Sequence, residues 1–468
     1  MSRKLVFILS SITLFLIGCS LAPEYKRPGS PVPHEWPRGA AYERVKDTSG
    51  AETIPILRWK EFFADPKLQT IIRTALDHNR DLRLAALNVE RVQALYGVQR
   101  ASLFPSIDAT GGMSRERVPA DLSTTGQSYI AEKDSLSIGI TSWEIDFFGR
   151  IRSLKDQALQ EYLATEQARR STQISLVSSI AGAYLTLAAD RGNLELARST
   201  LDAQQAAYNL IQKRYDVGLA TELDLRRAQT QVEAARGSVA RFTQMTAQDR
   251  NTLDLLAGSP VPEGLLPINL DGVTPPEDVS PGLSSAVLLN RPDIMAAEHR
   301  LKGAYAYIGA ARAALFPRIS LTTSVGTASA ELSGLFGAGS ATWSFVPQIA
   351  MPIFDARAWA ALRVSKAERE IALAQYEKAI QTAFREVADA LAVRGTVDQQ
   401  VAAQESLVDA VAETYRLSNK RYENGVDSYL SVLDAHQSLF SAKQSLISLH
   451  LAKLVSRVRL YTVLGGGE

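Results

Sequence analysis

Cysteine is all but missing from this chain. One copy in 468 residues excludes a disulfide-stapled fold. Histidine is scarce as well, and five scattered copies leave a Cys/His metal cage almost no material, so no metal site is expected. Neither sign of charge is in excess. The 51 Lys and Arg against 50 Asp and Glu exclude a generally basic nucleic-acid binder, and no nucleic acid is expected as a partner. Aromatic residues reach only 7% while apolar residues reach 46%, which excludes general disorder. A mix rich in Ala and poor in aromatics favours long, closely packed helices over a globular enzyme core. Catalytic signatures are missing too: no Gly-x-Ser-x-Gly elbow, no His-Glu-x-x-His and no glycine-rich phosphate loop after a strand. Asp77, His78 and Asp81 lie close on one helix, but the pattern reads as a solvated histidine. Glu144 and Asp146 share a strand face beside Arg150, which suits a barrel rim or lumen better than paired catalytic carboxylates. The chain therefore reads as a non-enzyme.

What is present begins with the position of that one cysteine. Arg3 and Lys4 precede an apolar stretch over residues 5–17, too short and wrongly flanked for a spanning helix, so residues 1–18 read as a signal peptide. Its end, Leu16-Ile17-Gly18-Cys19, looks like a bacterial lipobox, which makes Cys19 the lipidation site and the first mature residue. A diacylglycerol and a fatty acyl chain are expected there, and each buried CH2 adds roughly 0.8 kcal/mol of anchoring. Ser20 in place of Asp resembles lipoproteins forwarded to the outer membrane. Loss of Arg3 and Lys4 takes the formal charge from +1 to −1.

Residues 19–58 follow as a Pro-rich segment, expected to lie extended along the rest of the protein. From 68 to 103 the apolar spacing is helical, and Asp65-Pro66 is a suitable helix start. Strands are expected over 107–114 and 135–145, separated by a polar loop containing Arg115, Glu116, Arg117, Pro119 and Gly126. A long helix over 151–215 then gives a rod of roughly 95 Å, too polar for lipid. Gly218 breaks it, and a second helix follows over 221–256.

The same programme then repeats. Asn79-Arg-Asp-Leu82 matches Arg291-Pro-Asp-Ile294, and Ala101-Ser-Leu-Phe-Pro105 matches Ala313-Ala-Leu-Phe-Pro317, both at an offset of 212. Lys213-Arg-Tyr-Asp-Val-Gly218 matches Lys420-Arg-Tyr-Glu-Asn-Gly425 at 207. Three such pairs in the same order imply an internal duplication. The division is then 59–257 for the first repeat, 258–283 for a connector, 284–464 for the second repeat and 465–468 for a tail. The second copy is expected as helix 284–315, strands 318–328 and 341–352, and helices 357–422 and 427–464.

The strands bear on the environment. Ile319, Leu321, Thr323 and Val325 alternate with small or polar residues, as do Trp343, Phe345, Pro347, Ile349 and Met351. This fits both a transmembrane barrel strand and an ordinary half-buried sheet. Pro347 suits an edge or a bulge. Four strands cannot close a useful barrel and open edges are not tolerated in hydrocarbon, so several chains would have to share one sheet. In the second long helix Tyr376, Ile380, Ala383, Phe384, Val387, Ala388 and Leu391 recur at near-heptad spacing, which fits a tube wall or a solvated coiled-coil stalk equally.

These features, together with Cys19-Ser-Leu-Ala-Pro-Glu-Tyr25, Trp143-Glu-Ile-Asp-Phe-Phe-Gly-Arg150, Pro352-Ile-Phe354 and Leu464-Gly-Gly-Gly467, resemble the TolC-like outer-membrane efflux proteins, in the OprM-like (NodT-type) lipoprotein branch. The resemblance implies a mixed α/β membrane protein: a trimeric 12-stranded transmembrane β-barrel with four strands per subunit, continued by a long periplasmic α-helical barrel. It implies a homotrimer that works with a periplasmic membrane-fusion adaptor and an inner-membrane RND-type efflux pump, passing drugs or other small solutes outward. Alternatives are a heavy-metal or organic-solvent duct, or a lipid-anchored periplasmic adaptor. No cofactor is expected apart from the lipid on Cys19, and outer-membrane lipid is a further partner. A periplasmic gate falls, by the resemblance, on Asp434, Leu430 and Tyr422, with Asp224 as the tyrosine's partner in a neighbouring subunit, beside tip turns at Gly218 and Gly425. Ser431 stands where some relatives carry a second acidic ring.

Overall fold

A computed structural model describes residues 20–42, 58–278 and 284–466, so Cys19 and the signal segment lie outside the described residues. After a helical turn, Trp59–Phe62, come α1 (Pro66–His78), α2 (Arg80–Ala101), β1 (Ile107–Val118), β2 (Tyr129–Ile145), α3 (Arg150–Asp216) and α4 (Glu222–Ala257). The second half supplies α5 (Pro292–Ala313), β3 (Arg318–Ser329), β4 (Ala341–Ala350), α6 (Ala356–Glu423) and α7 (Tyr429–Val463). The chain divides into two compact units, one comprising Met1–Gly29, Asn88–Glu166 and Ala296–Tyr376, the other Ser30–Leu87, Gln167–Met295 and Glu377–Glu468.

Several boundaries differ from those expected. The single helix over 68–103 is two, because Asn79 turns its side chain inward: its Oδ1 accepts from the Leu82 amide at 2.9 Å and caps α2. The helix expected from 284 starts at Pro292, after a 3-10 turn over Ser285–Asn290. Proline lacks an amide donor and holds the preceding Arg291 extended, at φ −68° and ψ 135°. β1 runs on to Val118 because Arg115 meets Glu132 at 3.2 Å and Asp134 at 3.0 Å across the ladder, so Arg115, Glu116 and Arg117 are strand residues, not loop. Asp146 lies beyond the end of β2 and does not share a strand face with Glu144. Its carboxylate instead caps α3, accepting from the amides of Ile151 at 3.0 Å and Arg152 at 2.8 Å.

The four strands form one antiparallel sheet in the order β1-β2-β3-β4, with a bulge in β2 between Ile140 and Trp143. Register gathers Ile107, Ile140, Ile138, Thr323, Val325, Trp343, Phe345 and Ile349 on one face. That face is bare: Trp343 is 80% exposed and Ile349 70%. Gly112, Ser137, Ser324, Ser344 and Gln348 line the other. The apolar run from Ile319 to Thr327 covers about nine residues, or roughly 30 Å along the strand, enough for a tilted strand to cross the apolar band of an outer membrane, about 25 Å tall. Pro347 sits on β4, an edge strand of this sheet.

In the same unit the segment after Ser20 is strapped onto α5. Tyr25 donates to Glu298 at 3.0 Å, Arg27 forks onto the same carboxylate at 3.1 and 2.8 Å, and Arg312 donates to the Leu21 carbonyl at 2.9 Å. Burial pushes the Glu298 carboxyl up, but hydrogen bonds from Arg27, Lys302 and Tyr25 outweigh it and hold the group below the usual range.

The other unit has a core of Phe62, Phe63, Ile71, Ile72, Ile180, Tyr184, Leu187 and Leu253, with Phe62 stacked on Tyr461 at 4.4 Å. α3 is long and apolar enough to cross a membrane by composition, but half of its apolar stretch is buried inside the protein. Tyr376, Ile380, Ala383, Val387, Ala388 and Leu391 of α6 are all buried, and Phe384 stacks on Trp36 at 5.1 Å. The duplication recurs in the hydrogen bonds. Asn79 donates to the Leu256 carbonyl at 2.9 Å near the end of α4, and its counterpart Arg291 donates to Val463 at 2.7 Å at the end of α7. Leu256 and Val463 are themselves 207 residues apart.

Candidate functional site

The residues assigned to the gate lie in the second unit, around the turns joining α3 to α4 and α6 to α7. A long helix ends cleanly where a residue can adopt positive φ, and glycine does so without a Cβ penalty. Gly218 has φ 77° and Gly425 φ 72°. Each turn closes with the same bonds. Gly218 donates to Tyr215 at 2.9 Å and Leu219 to Arg214 at 2.7 Å; Gly425 donates to Tyr422 at 3.0 Å and Val426 to Arg421 at 2.9 Å.

The outgoing helices are capped differently. Thr221 Oγ1 accepts from the Asp224 amide at 3.2 Å, while Asp224 Oδ2 accepts from the Thr221 amide at 3.3 Å and from its hydroxyl at 2.6 Å. This reciprocal capping box engages Asp224 within its own hairpin. Ser428 precedes α7 and makes no side-chain cap bond. Arg421 Nε instead donates to Asp427 at 2.5 Å across the turn, and that bond holds the Asp427 carboxyl below the usual carboxylate range.

Behind the turns the two hairpins pack on one another. Ile211, Leu225 and Ala228 of the first meet Tyr429, Val432 and Leu433 of the second. Tyr422 lies against Tyr429 at 5.2 Å, with the Arg214 guanidinium 5.1 Å from its ring. Leu430 and Asp434, one helical turn apart, point the other way and are exposed. One face of α7 is thus locked to the first hairpin, while the face carrying Leu430 and Asp434 is exposed among the described residues. Tyr422 and Asp224 belong to different hairpins, and the bond the resemblance implies between them runs between subunits.

Sequence reasoning missed His436. Its Nδ1 lies 2.8 Å from Gln204 Nε2 of α3, and Tyr415 meets its ring edge-on at 5.1 Å. Burial pushes its pKa down, and Lys443 pushes it further. The available signal was a lone histidine two residues beyond Asp434, on the opposite face of the helix. By sequence Arg291 is only one member of a repeat; the structure shows it 8% exposed and bonded to Asp293, Glu386 and the Val463 carbonyl together. His78 is exposed and bonds the Thr74 carbonyl of its own helix. Among the described residues no three His, Cys, Asp or Glu side chains are grouped to hold a metal ion.

Comparison with known proteins gives the family. The family described as "Outer membrane efflux protein" matches residues 71–259 and again 283–466. The chain is 48% identical over 462 residues to "Antibiotic efflux pump outer membrane protein ArpC" of Pseudomonas putida, covering 98% of this chain and 94% of that one. The same figures hold for "Toluene efflux pump outer membrane protein TtgC", also of Pseudomonas putida. Among solved structures, the open state of the Neisseria gonorrhoeae MtrE outer membrane channel superposes with a TM-score of 0.85 at 37% identity, over 96% of this chain and 98% of that one.

Proposed function

The chain belongs to the outer membrane efflux protein family and is an outer-membrane exit duct of a tripartite efflux system, and from that premise we propose a finer reading. Three copies close one 12-stranded barrel, and their paired hairpins continue it as a helical tube. A periplasmic membrane-fusion adaptor and an inner-membrane RND-type pump deliver solute and energy, while this chain conducts and gates. The observation that carries the reading is the sheet, which has two unpaired edges and one bare apolar face. In hydrocarbon those edges must be paired, and further copies of the same four strands supply the partners. The cargo is a class of small amphiphilic solutes, antibiotics or solvents such as toluene, in keeping with the names of ArpC and TtgC. Heavy-metal cargo has less support, since five His and five Met are scattered through the chain.

At the tip, three copies of Asp434 gather negative charge round the axis and favour cations, with Leu430 as an apolar ring one turn before. Tyr422 and Asp224 of adjacent copies hold the closed state. Ser431 leaves a single acidic ring and a weaker cation preference.

Cys19 carries the lipid that anchors the chain to the outer membrane. The strap supports this placement. Between Arg27 and Leu21 it passes from Glu298 to Arg312, so about 20 Å of extended chain matches about 21 Å of helix. Arg312 stands near the end of α5, and β3 begins at Arg318. Palmitate labelling that Cys19→Ser abolishes checks the anchor. Expression in a strain lacking its own duct but retaining a matching pump and adaptor should restore resistance to the pump's substrates; an assembled, membrane-inserted chain that restores none contradicts the duct reading.

A further inference from the structure

We propose that the seam between subunits repeats the seam inside the chain: β4 of one copy pairs with β1 of the next with Ala350 opposite Asp108, latched at the base by Phe354 against Phe104. The inference deepens the trimeric reading above and rests on it. Inside the chain the first repeat meets the second where β2 pairs with β3, with Trp143 opposite Leu321, Glu144 opposite Ser320 and Ile145 opposite Ile319. Just below the ladder Phe148 stacks on Phe316, with ring centroids 5.0 Å apart and planes 26° from parallel.

The duplication gives both rings a counterpart. Phe316 corresponds to Phe104 at the offset of 212, in the matching Leu-Phe-Pro stretches. Phe148 corresponds to Phe354, 206 residues on, each standing two residues before a long helix, α3 or α6. Among the described residues neither counterpart has an aromatic ring stacked on it. Phe354 is 88% exposed and Phe104 65%, and they stand at the bases of β4 and β1, the two unpaired edges. A second copy brings each edge its complement and each ring its partner.

The same offsets carried along the ladder set the register as Met351 opposite Ile107, Ala350 opposite Asp108 and Ile349 opposite Ala109. β2 carries a bulge between Ile140 and Trp143 whereas β4 pairs with β3 without a shift, so the new ladder runs on unbroken: further up Phe345 meets Met113 and Ser344 meets Ser114, and the apolar faces of the two sheets stay continuous. A slip of one residue would turn every side chain of one strand to the wrong face. The competing registers are therefore displaced by two residues, and the aromatic latch selects among them.

The full-length chain with Ala350→Cys and Asp108→Cys tests the register, since the only native cysteine is Cys19. A disulfide needs Cα atoms within about 7 Å, and a two-residue displacement adds roughly 7 Å along the strand. Oxidation is expected to convert most of the protein to a covalent trimer that reductant returns to monomer, while Ala350→Cys combined with Thr110→Cys or Ser106→Cys stays monomeric on denaturing gels. Ile349→Cys with Ala109→Cys is the second variant, should the first fold poorly. Cross-linking by a displaced pair, or a native-mass trimer that neither predicted pair cross-links, overturns the register while leaving the trimer standing. A wild-type chain that forms no trimer overturns both. For the latch, Phe354→Ala and Phe104→Ala should each lower the temperature at which the native trimer dissociates, and the double variant should lower it no further than the larger single effect. Additive losses overturn the latch.

Discussion

At the first tip Thr221 and Asp224 cap the outgoing helix for one another; at the second Ser428 makes no such bond, and Arg421 reaches across the turn to Asp427 instead. The glycines and backbone bonds of the two turns match, so the contrast lies in the side chains. The same holds at the other end of the hairpins, where Asn79 in one repeat and Arg291 in the other reach the end of an outgoing helix. One copy of the programme uses its tip carboxylate locally. The other carries Ser431 at the matching position and closes its turn through Asp427. A duplicated unit can keep its backbone turn and change the side chains that close it.

The largest expected break comes at the paired hubs. Arg291→Ala removes the fork from Asp293, the 2.9 Å bond from Glu386 and the donor from the Val463 carbonyl, and should destabilise the solubilised protein by about 3–5 kcal/mol in a denaturant melt. Asn79→Ala, which removes neutral bonds only, should cost about 1–3 kcal/mol by the same measurement. Equal losses would remove the distinction between the hubs.

Glycines separate next. At Gly258, φ is 72° and a Cβ would meet the His78 carbonyl oxygen at 2.5 Å, so Gly258→Ala combines backbone strain with a clash and should cost about 2–4 kcal/mol. Gly425 has the same φ with open space around it, and Gly425→Ala should cost about 1–2 kcal/mol in the same melt. The caps give a smaller contrast. Thr221→Ala should cost about 1 kcal/mol and speed amide exchange in the first turn of α4, whereas Ser428→Ala should stay within about 0.5 kcal/mol.

The smallest effect is a pH dependence at His436. Its folded pKa lies below the ordinary 6.5, so between those two values the unfolded chain binds the proton that the folded chain refuses. Stability contributed there is full above the ordinary value and is lost as the pH falls through that window. Hydrogen exchange near the tip should therefore quicken on acidification in the wild type and lose that response in His436→Gln; an unchanged response in the variant would assign it to another group.

Much of the architecture could be read from residue spacing. The long helices were placed to within a residue or two, because Gly218 and Gly425 stop them and no proline falls inside. The break at Asn79 is hidden in the spacing, since the side chain that caps α2 is also held by a bond to Leu256, 177 residues away. β1 outran its predicted end because Arg115 gains Glu132 and Asp134 only across the ladder. At the site, the residue types at Tyr422, Leu430 and Asp434 came from family resemblance, and the periodicity of α7 alone would have given them no role. His436 went unread because its partner Gln204 lies on another hairpin, which helical spacing does not reveal.

The central claim is that three copies of this chain form a gated aqueous duct. Single-channel recording in planar bilayers tests it most directly, comparing purified trimeric wild type with Asp434→Ala. The account predicts discrete conductance steps from the wild type with a mild cation preference, and from the variant steps with that preference reduced and the closed time shortened. Barrel-folded, trimeric protein that conducts under no gating condition would contradict the account.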